Sequence, residues 1–528
     1  MAATATTPAG PPDCPFIRVP NEIVLHIFDH ARLAHDADAA PYRLAESDPV
    51  HSRRRINPVV AVSHVCRAWR ALALDNPALW ASLHLDGEMD GARAQDKARY
   101  WADRAAAKPR DSLSAGSTGT AQPHQDARSA KLEPSGITSL FVTRAQEFST
   151  DAFPCLFESL DLIELVRLRH ANISWMGRGY VAEASAHRLF QAFFTFLRSS
   201  ADTLTSLTFL TPSHLRVNFS LQHFGETFTA LKELEIRANQ DIQDMERADR
   251  GIWRIPPPPA SLLSIPPDFL PPPTVETGSK VLTQLRRLVL IGPEWRALRG
   301  GLLSHARVLD TSHVPALEYA DLGRTTPNVN LGLLAHSSGT LSHLRVRNWW
   351  IPPAFPLPDI LGSLPNLATL SLLASGALAT RILDELVRLD AATPIRFPHL
   401  VTLAVQGARL TQAHLALFGS DRAPRLATLD LSDTKAVETA EGAASLELPR
   451  FEALTTLKVA RSEVWSTARS IVGELERGKV PALTQLYVSG SGEDEPVSGA
   501  DDDGWNVSRR RLLGERGIEL HVKDRGVV

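Results

Sequence analysis

From Ile137 onward one arrangement of apolar positions keeps returning: an apolar residue, two positions, Leu, one position, an apolar residue. It is clear at Ile137-Leu140-Val142, Leu204-Leu207-Phe209, Leu231-Leu234-Ile236, Leu285-Leu288-Leu290 and Leu341-Leu344-Val346. It continues at Leu367-Leu370-Leu372, Leu400-Leu403-Val405, Leu426-Leu429-Leu431, Leu454-Leu457-Val459 and Leu483-Leu486-Val488, with weaker copies near Leu165-Leu168 and Leu317-Leu322. Side chains alternate along a strand, so the fourth and sixth positions share a face. Each copy therefore predicts a short strand with its Leu-x-Leu side buried and the first position also turned inward. Between copies the period changes. Leu189, Phe190, Phe193, Phe194 and Leu197 fall at helical spacing, as do Ile382, Leu383, Leu386 and Leu389, and Ala468, Ile471, Val472 and Leu475. Gly478 follows the last of these as a helix stop.

The copies starting at 341, 367, 400, 426, 454 and 483 are 26, 33, 26, 28 and 29 residues apart, and the interval from 231 to 285 is 54, twice 27. Such a period marks a solenoid of strand-plus-helix units, in which stacked neighbours build one continuous core. Pro315, Pro365, Pro398, Pro424 and Pro481 each stand two residues before a first Leu. Proline there is expected to end the preceding helix and set an extended entry to the strand. The pattern resembles the leucine-rich repeat. That family places Asn or Cys eight residues after the first Leu. Here the position holds Asn239 once, and otherwise residues such as Pro212, Ser375, Ala408, Thr434 and Ser462. The expectation is an α/β chain whose residues 137–528 form an irregular leucine-rich-repeat solenoid, one strand plus one helix per repeat, with a Pro-rich surface insertion near 254–274.

Residues 16–85 are patterned differently. Pro20 suits the first turn of a helix, Glu22 favours its positive end, and Ile23, Ile27 and Phe28 follow on a shared apolar face. Val62, Val65, Cys66 and Trp69 have the spacing of one face of a second helix, with Pro77, Leu79 and Trp80 in the apolar stretch beyond it. The series Val19-Pro20-Asn21-Glu22-Ile23, Ile27-Phe28, Val65-Cys66-Arg67-Ala68-Trp69 and Asn76-Pro77-Ala78-Leu79-Trp80 resembles the F-box, with residues 34–57 looping out as an insertion. The resemblance implies docking to a Skp-type adaptor, and through it a cullin, while the rest of the chain binds a protein substrate. It implies adaptor-binding roles for Pro20, Glu22, Ile23, Ile27, Phe28, Val65, Cys66, Trp69, Pro77, Leu79 and Trp80. Trp69 is expected both to tie the two helices together and to contact the adaptor. A scaffold acting outside a ligase, and an enzyme or regulator with a site hidden in the repeats, are the alternatives.

Composition narrows the field. The chain has 528 residues, a hydrophobic fraction of 44% and a formal net charge of -3, which favours neither nucleic acid nor an anionic membrane as partner. Its three cysteines, Cys14, Cys66 and Cys155, lack metal-ligand spacing and fit a reducing compartment, cytoplasmic or nuclear. Residues 1–15 read as a disordered start, without the basic and apolar regions of a secretory signal, and 86–136 as a connecting helix and flexible linker. His26 and His30 have zinc-ligand spacing, but Ile27 stands where a zinc-protease helix needs its general-base Glu. Phosphate-binding loops and nucleophile elbows are absent. Acidic residues 493–495 and 501–503, and arginines 53–55 and 509–511, read as solvated segments. The expectation is a non-catalytic chain without cofactor or metal.

Overall fold

The computed structural model describes residues 19–38, 58–86, 91–105, 137–143, 167–174 and 195–212 of a first unit. In a second it describes 216–218, 227–239, 262–264, 282–291, 314–323, 334, 337–347, 361, 364–373, 376–436, 438–439, 442–443, 446–459, 462, 474–475, 477–489 and 513–523. The first unit ends at Pro212 and the second begins at Ser213.

The first unit opens with helices α1 (Asn21–Asp38), α2 (Pro58–Ser63) and α3 (Arg67–Asp75), then a 3₁₀ turn at Pro77–Trp80. A strand β1 (Ser82–Asp86) and helix α4 (Gly91–Ala105) follow. Strands β2 (Ser139–Thr143), β3 (His170–Ser174) and β4 (Ser206–Pro212) complete a parallel ladder with β1. Helix α1 continues through Ala34 to Asp38, so the start of the expected 34–57 loop is helical, and residues 39–57 lie outside the described residues.

Among the described residues, ten strands of the second unit belong to one parallel sheet: β5 (Glu233–Asn239), β6 (Arg287–Ile291), β7 (Tyr319–Gly323), β8 (His343–Arg347), β9 (Thr369–Leu373), β10 (Thr402–Val405), β11 (Thr428–Asp430), β12 (Thr456–Lys458), β13 (Gln485–Ser489) and β14 (Glu519–Lys523). Each pairs with the next in sequence, in constant register. Because β5 pairs directly with β6, the 54-residue interval is one repeat with a long insertion rather than two repeats. Within that insertion the prolines of 256–259, 266–267 and 271–273 lie outside the described residues.

The three-position pattern is the core. Leu367, Leu370 and Leu372 are all buried, and β9 alternates buried with half-buried along its length. The same holds for the triplets starting at Ile137, Leu204, Leu341, Leu400, Leu426, Leu454 and Leu483. Two weak copies resolve differently. Leu317-Ala320-Leu322 is a regular member, buried throughout. The other copy is Leu168-Ala171-Ile173, starting three residues later than expected because Ala takes the Leu position; Leu165 lies outside the described residues.

Register is held at the residue after the first apolar position. The Ala368 carbonyl accepts from the Val401 and Thr402 N–H groups at 2.8 and 3.0 Å, and the Thr138 carbonyl from Arg169 and His170 at 2.7 and 3.1 Å. A slip by one residue would turn every Leu outward, so this shared acceptor and the apolar pattern select the same pairing.

The prolines do something other than expected. They occupy the corner of a tight turn, not an extended entry. The Leu400 N–H donates to the Phe397 carbonyl at 3.2 Å across Pro398, and Leu426, Leu367, Leu317 and Leu483 close the same loop over Pro424, Pro365, Pro315 and Pro481. Proline's fixed φ suits that corner. The residue before it is a fourth buried position, as at Val314, Leu364, Phe397, Ala423 and Val480.

Among the described residues the connections differ from repeat to repeat. Helix α5 (Gly376–Ala392) joins β9 to β10 and buries Ile382, Leu383 and Leu386 of the expected face, while Leu389 is half-buried. A short helix, α6 (Gln412–Ala416), follows β10. Gly478 adopts φ 69°, the left-handed stop conformation, and its N–H donates to the Leu475 carbonyl. Ala468, Ile471, Val472 and residues 189–194 lie outside the described residues.

Where the family places asparagine, Thr434 and Ser462 are buried one repeat apart. The Thr434 hydroxyl donates to the Leu431 carbonyl at 2.6 Å and lies 2.9 Å from the Ser462 hydroxyl. Two small hydroxyls thus satisfy the turn there in place of an amide.

His414 on α6 is buried between two fixed partners. Its Nδ1 accepts the Thr411 N–H at 3.1 Å, which puts the ring proton on Nε2, 2.8 Å from Asp384 on α5. Burial pushes this imidazole below its ordinary value although Asp384 opposes the shift.

Two outcomes are expected. Leu370→Ala should destabilise the second unit by roughly 2–5 kcal/mol in urea unfolding, while Ser371→Ala, on the opposite side of the same strand, should change it by less than about 0.5 kcal/mol. For His414 the unfolded chain binds the proton first, because the folded value is the lower one. Its contribution is therefore complete above about pH 6.5 and is lost as pH falls through and below that value. Unfolding midpoints measured from pH 7.5 to 5.5 should fall, and His414→Gln should flatten the slope.

Candidate functional site: the N-terminal helical face

The helical part of the first unit is built around few residues. Val24 and Phe28 on α1 point into it, and Phe28 meets Trp69 of α3 edge-to-face at 5.1 Å. Helices α2 and α3 are separate rather than one continuous helix across Val62 to Trp69. The break falls at His64 and Val65, and Cys66 is extended (φ -155°, ψ 170°) at the start of α3. Arg70 bridges the break by donating from Nε to the Ser63 carbonyl at 3.0 Å. Neither Gly nor Pro marks this break, which is why the spacing alone reads as one helix.

The 3₁₀ turn has a local logic. Asn76 caps it by accepting the Ala78 N–H at 3.2 Å, and Pro77 takes the first position. Leu79 and Trp80 are buried, and the Trp80 indole donates to the Ala73 carbonyl of α3 at 2.8 Å. Trp101 of α4 packs on Trp80 at 5.0 Å and donates to the Ser82 carbonyl of β1 at 3.1 Å. Arg104 lies over the Tyr100 ring at 4.0 Å and over Trp80 at 5.2 Å.

Trp80 also has a second identity. Trp80, Leu83 and Leu85 are buried at first, fourth and sixth positions, and β1 pairs in register with β2. The stretch 16–85 therefore supplies the first strand of the sheet. The signal was present as Leu83-x-Leu85, but an indole at the first position hides it from a search for Leu.

The eleven residues singled out from sequence fall into three groups. Phe28, Leu79 and Trp80 are core. Cys66, Trp69 and Pro77 are half-buried. Pro20, Glu22, Ile23, Ile27 and Val65 are exposed, with Ile23 at 52%, Ile27 at 49% and Val65 at 51%. Ile27 and Phe28 therefore do not share a face. Ile23 and Ile27, one turn apart, point outward, while Val24 and Phe28 point inward. Among the described residues only five large hydrophobic side chains are this exposed, and these three stand within the helical part. Scattered exposed apolar residues are ordinary, but an isoleucine pair on one helical face is left uncovered by the described residues of its own unit.

His26 and His30 lie beside that pair, rings 4.5 Å apart, and no group of three metal-ligating side chains occurs among the described residues. No helix among them is long and apolar enough to cross a membrane.

No curated protein matches the chain significantly. Residues 16–86, from α1 through β1, match the F-box-like family model, and this part of the chain is an F-box-like domain.

Proposed function

We propose that the chain is the substrate-recognition adaptor of a Skp-cullin-F-box type ubiquitin ligase. The F-box-like domain docks onto a Skp-type adaptor and so reaches the cullin, and the parallel-strand array holds a protein substrate. Ubiquitin transfer belongs to other subunits, and this chain acts by binding. The observation that carries the reading is the coincidence of the F-box-like match with the exposed Ile23, Ile27 and Val65. Apolar anchors of this kind are where binding energy concentrates once a partner excludes water. The array supports the second half of the reading, because a row of parallel strands in constant register presents a long surface of fixed geometry.

Ile23→Glu with Ile27→Glu changes two exposed positions and should leave the fold intact by circular dichroism. Co-purification of the Skp-type adaptor should drop at least tenfold, as expected for losing two anchors worth roughly 1–2 kcal/mol each. Phe28→Ala should lose the adaptor by another route, unfolding the helical part at a cost of roughly 3–5 kcal/mol. Undiminished recovery of the adaptor by the double glutamate variant would refute the docking face.

A further inference from the structure

Four exposed residues of α1 lie along one line. Ile23, His26, Ile27 and His30 follow at i, i+3, i+4 and i+7, the spacing of a single helical face. All four are exposed, whereas Val24 and Phe28 on the inward face are buried. The two imidazoles meet edge-to-face, with ring centroids 4.5 Å apart. The strip therefore reads Ile-His-Ile-His, and a partner that covers its isoleucines covers its histidines too.

The charges around the strip leave the pair unanswered. On α1, Glu22 is exposed and Asp29 half-buried, and by helical spacing both stand on the flank of the strip rather than along it. Of the elements packed against α1, helix α2 and the 3₁₀ turn carry no titratable side chain. Helix α3 carries Arg67, Arg70 and Asp75, with Cys66 at its start and His64 in the break before it. Arg70 is turned to the Ser63 carbonyl. Among the described residues neither imidazole is paired with a carboxylate. An imidazolium closed in beside isoleucine would be a charge taken out of water without an ion-pair partner, and such a group sheds its proton instead. Two imidazolium rings this close would also repel each other. A neutral imidazole is a flat ring that needs only one acceptor and one donor. Histidine ordinarily changes charge between pH 5 and 8.

We propose that His26 and His30 belong to the docking face and couple docking to protons: the Skp-type adaptor closes over the pair in its neutral form, and acid releases it. The adaptor surface that fits is apolar over the isoleucines. Opposite the imidazole N–H groups it offers carbonyl or hydroxyl oxygens and no carboxylate. This inference rests on the proposed docking of the F-box-like domain. The free chain then binds more protons than the docked one, so acid favours the free state. Release of one proton weakens docking about tenfold between pH 7.5 and 5.5, and release of two up to about a hundredfold.

The test is calorimetric titration of the full chain with a purified Skp-type adaptor at pH 7.5, 6.5 and 5.5, in two buffers of different ionisation enthalpy. Docking should weaken at least tenfold from pH 7.5 to 5.5, and at pH 6.5 the heat should depend on the buffer in the sense of proton release. His26→Gln made together with His30→Gln keeps hydrogen-bonding groups on the strip but cannot titrate. In that variant the affinities at the three pH values should agree within about twofold, and the proton release should vanish. Because the variant carries the same array, any effect of acid on His414 appears in both chains and cancels in the comparison. A wild-type change below about threefold, or a slope that persists in the double glutamine variant, overturns the proposal. So does docking that tightens in acid, which would put a carboxylate opposite the pair. The two readings fail differently. Absence of binding at every pH counts against docking itself and removes the proposal with it, whereas binding that ignores pH leaves docking standing and removes only the proton coupling.

Discussion

Leucine burial in this chain depends on neighbours. A strand of three to seven residues cannot cover its own Leu-x-Leu face, and faces such as those at Leu344, Leu370 and Leu403 are buried where neighbouring repeats stack in the same register. The shared carbonyl after the first position, as at Ala368, fixes that register because one acceptor serves two successive N–H groups of the following strand. Hydrophobic burial at about 25 cal/mol per Å² provides the drive, and the ladder provides the alignment. Substitutions that spare both tolerate wide variation between strands, from the long α5 connection to the 54-residue interval.

The F-box-like domain is tied to this scheme through aromatic rings. Trp80 closes the helical part by its bond to Ala73, and at the same time occupies the first position of the first strand repeat. Trp101 extends the tie from α4 to the backbone of β1. A helical part with so small a core gains stability from a sheet strand it does not have to complete alone. Its outward isoleucines take no part in that packing, since α1 uses Val24 and Phe28.

Polar groups in the array follow burial too. Thr434 and Ser462 satisfy a turn through hydroxyls, His414 satisfies a helix start through Nδ1, and buried Glu235 is paired with Arg287. The first two stand where the resembled family places asparagine, and the others where the repeat pattern prescribes no residue. At Thr434 and Ser462 the array thus departs from the asparagine position of the family it resembles while the turn keeps its hydrogen bonds.

The linear order of residues settled whatever depends on period and residue type. The strands at the Leu triplets, the inward first position, the helix at 376–392 and the stop at Gly478 were all legible, because side-chain alternation and backbone preference act within a few residues. The F-box-like stretch was legible through its resemblance to a known motif. The tertiary structure decided what depends on contact. It broke the second helix at His64 and Val65, parted Ile27 from Phe28, set the prolines at turn corners and shifted one weak copy to Leu168. It also gave Trp80 to both the helical part and the sheet, and lined up Arg287, Tyr319 and His343 from strands far apart in sequence. A pattern states which side chains prefer to be buried, but only the assembled neighbours determine what covers them and which are left facing out.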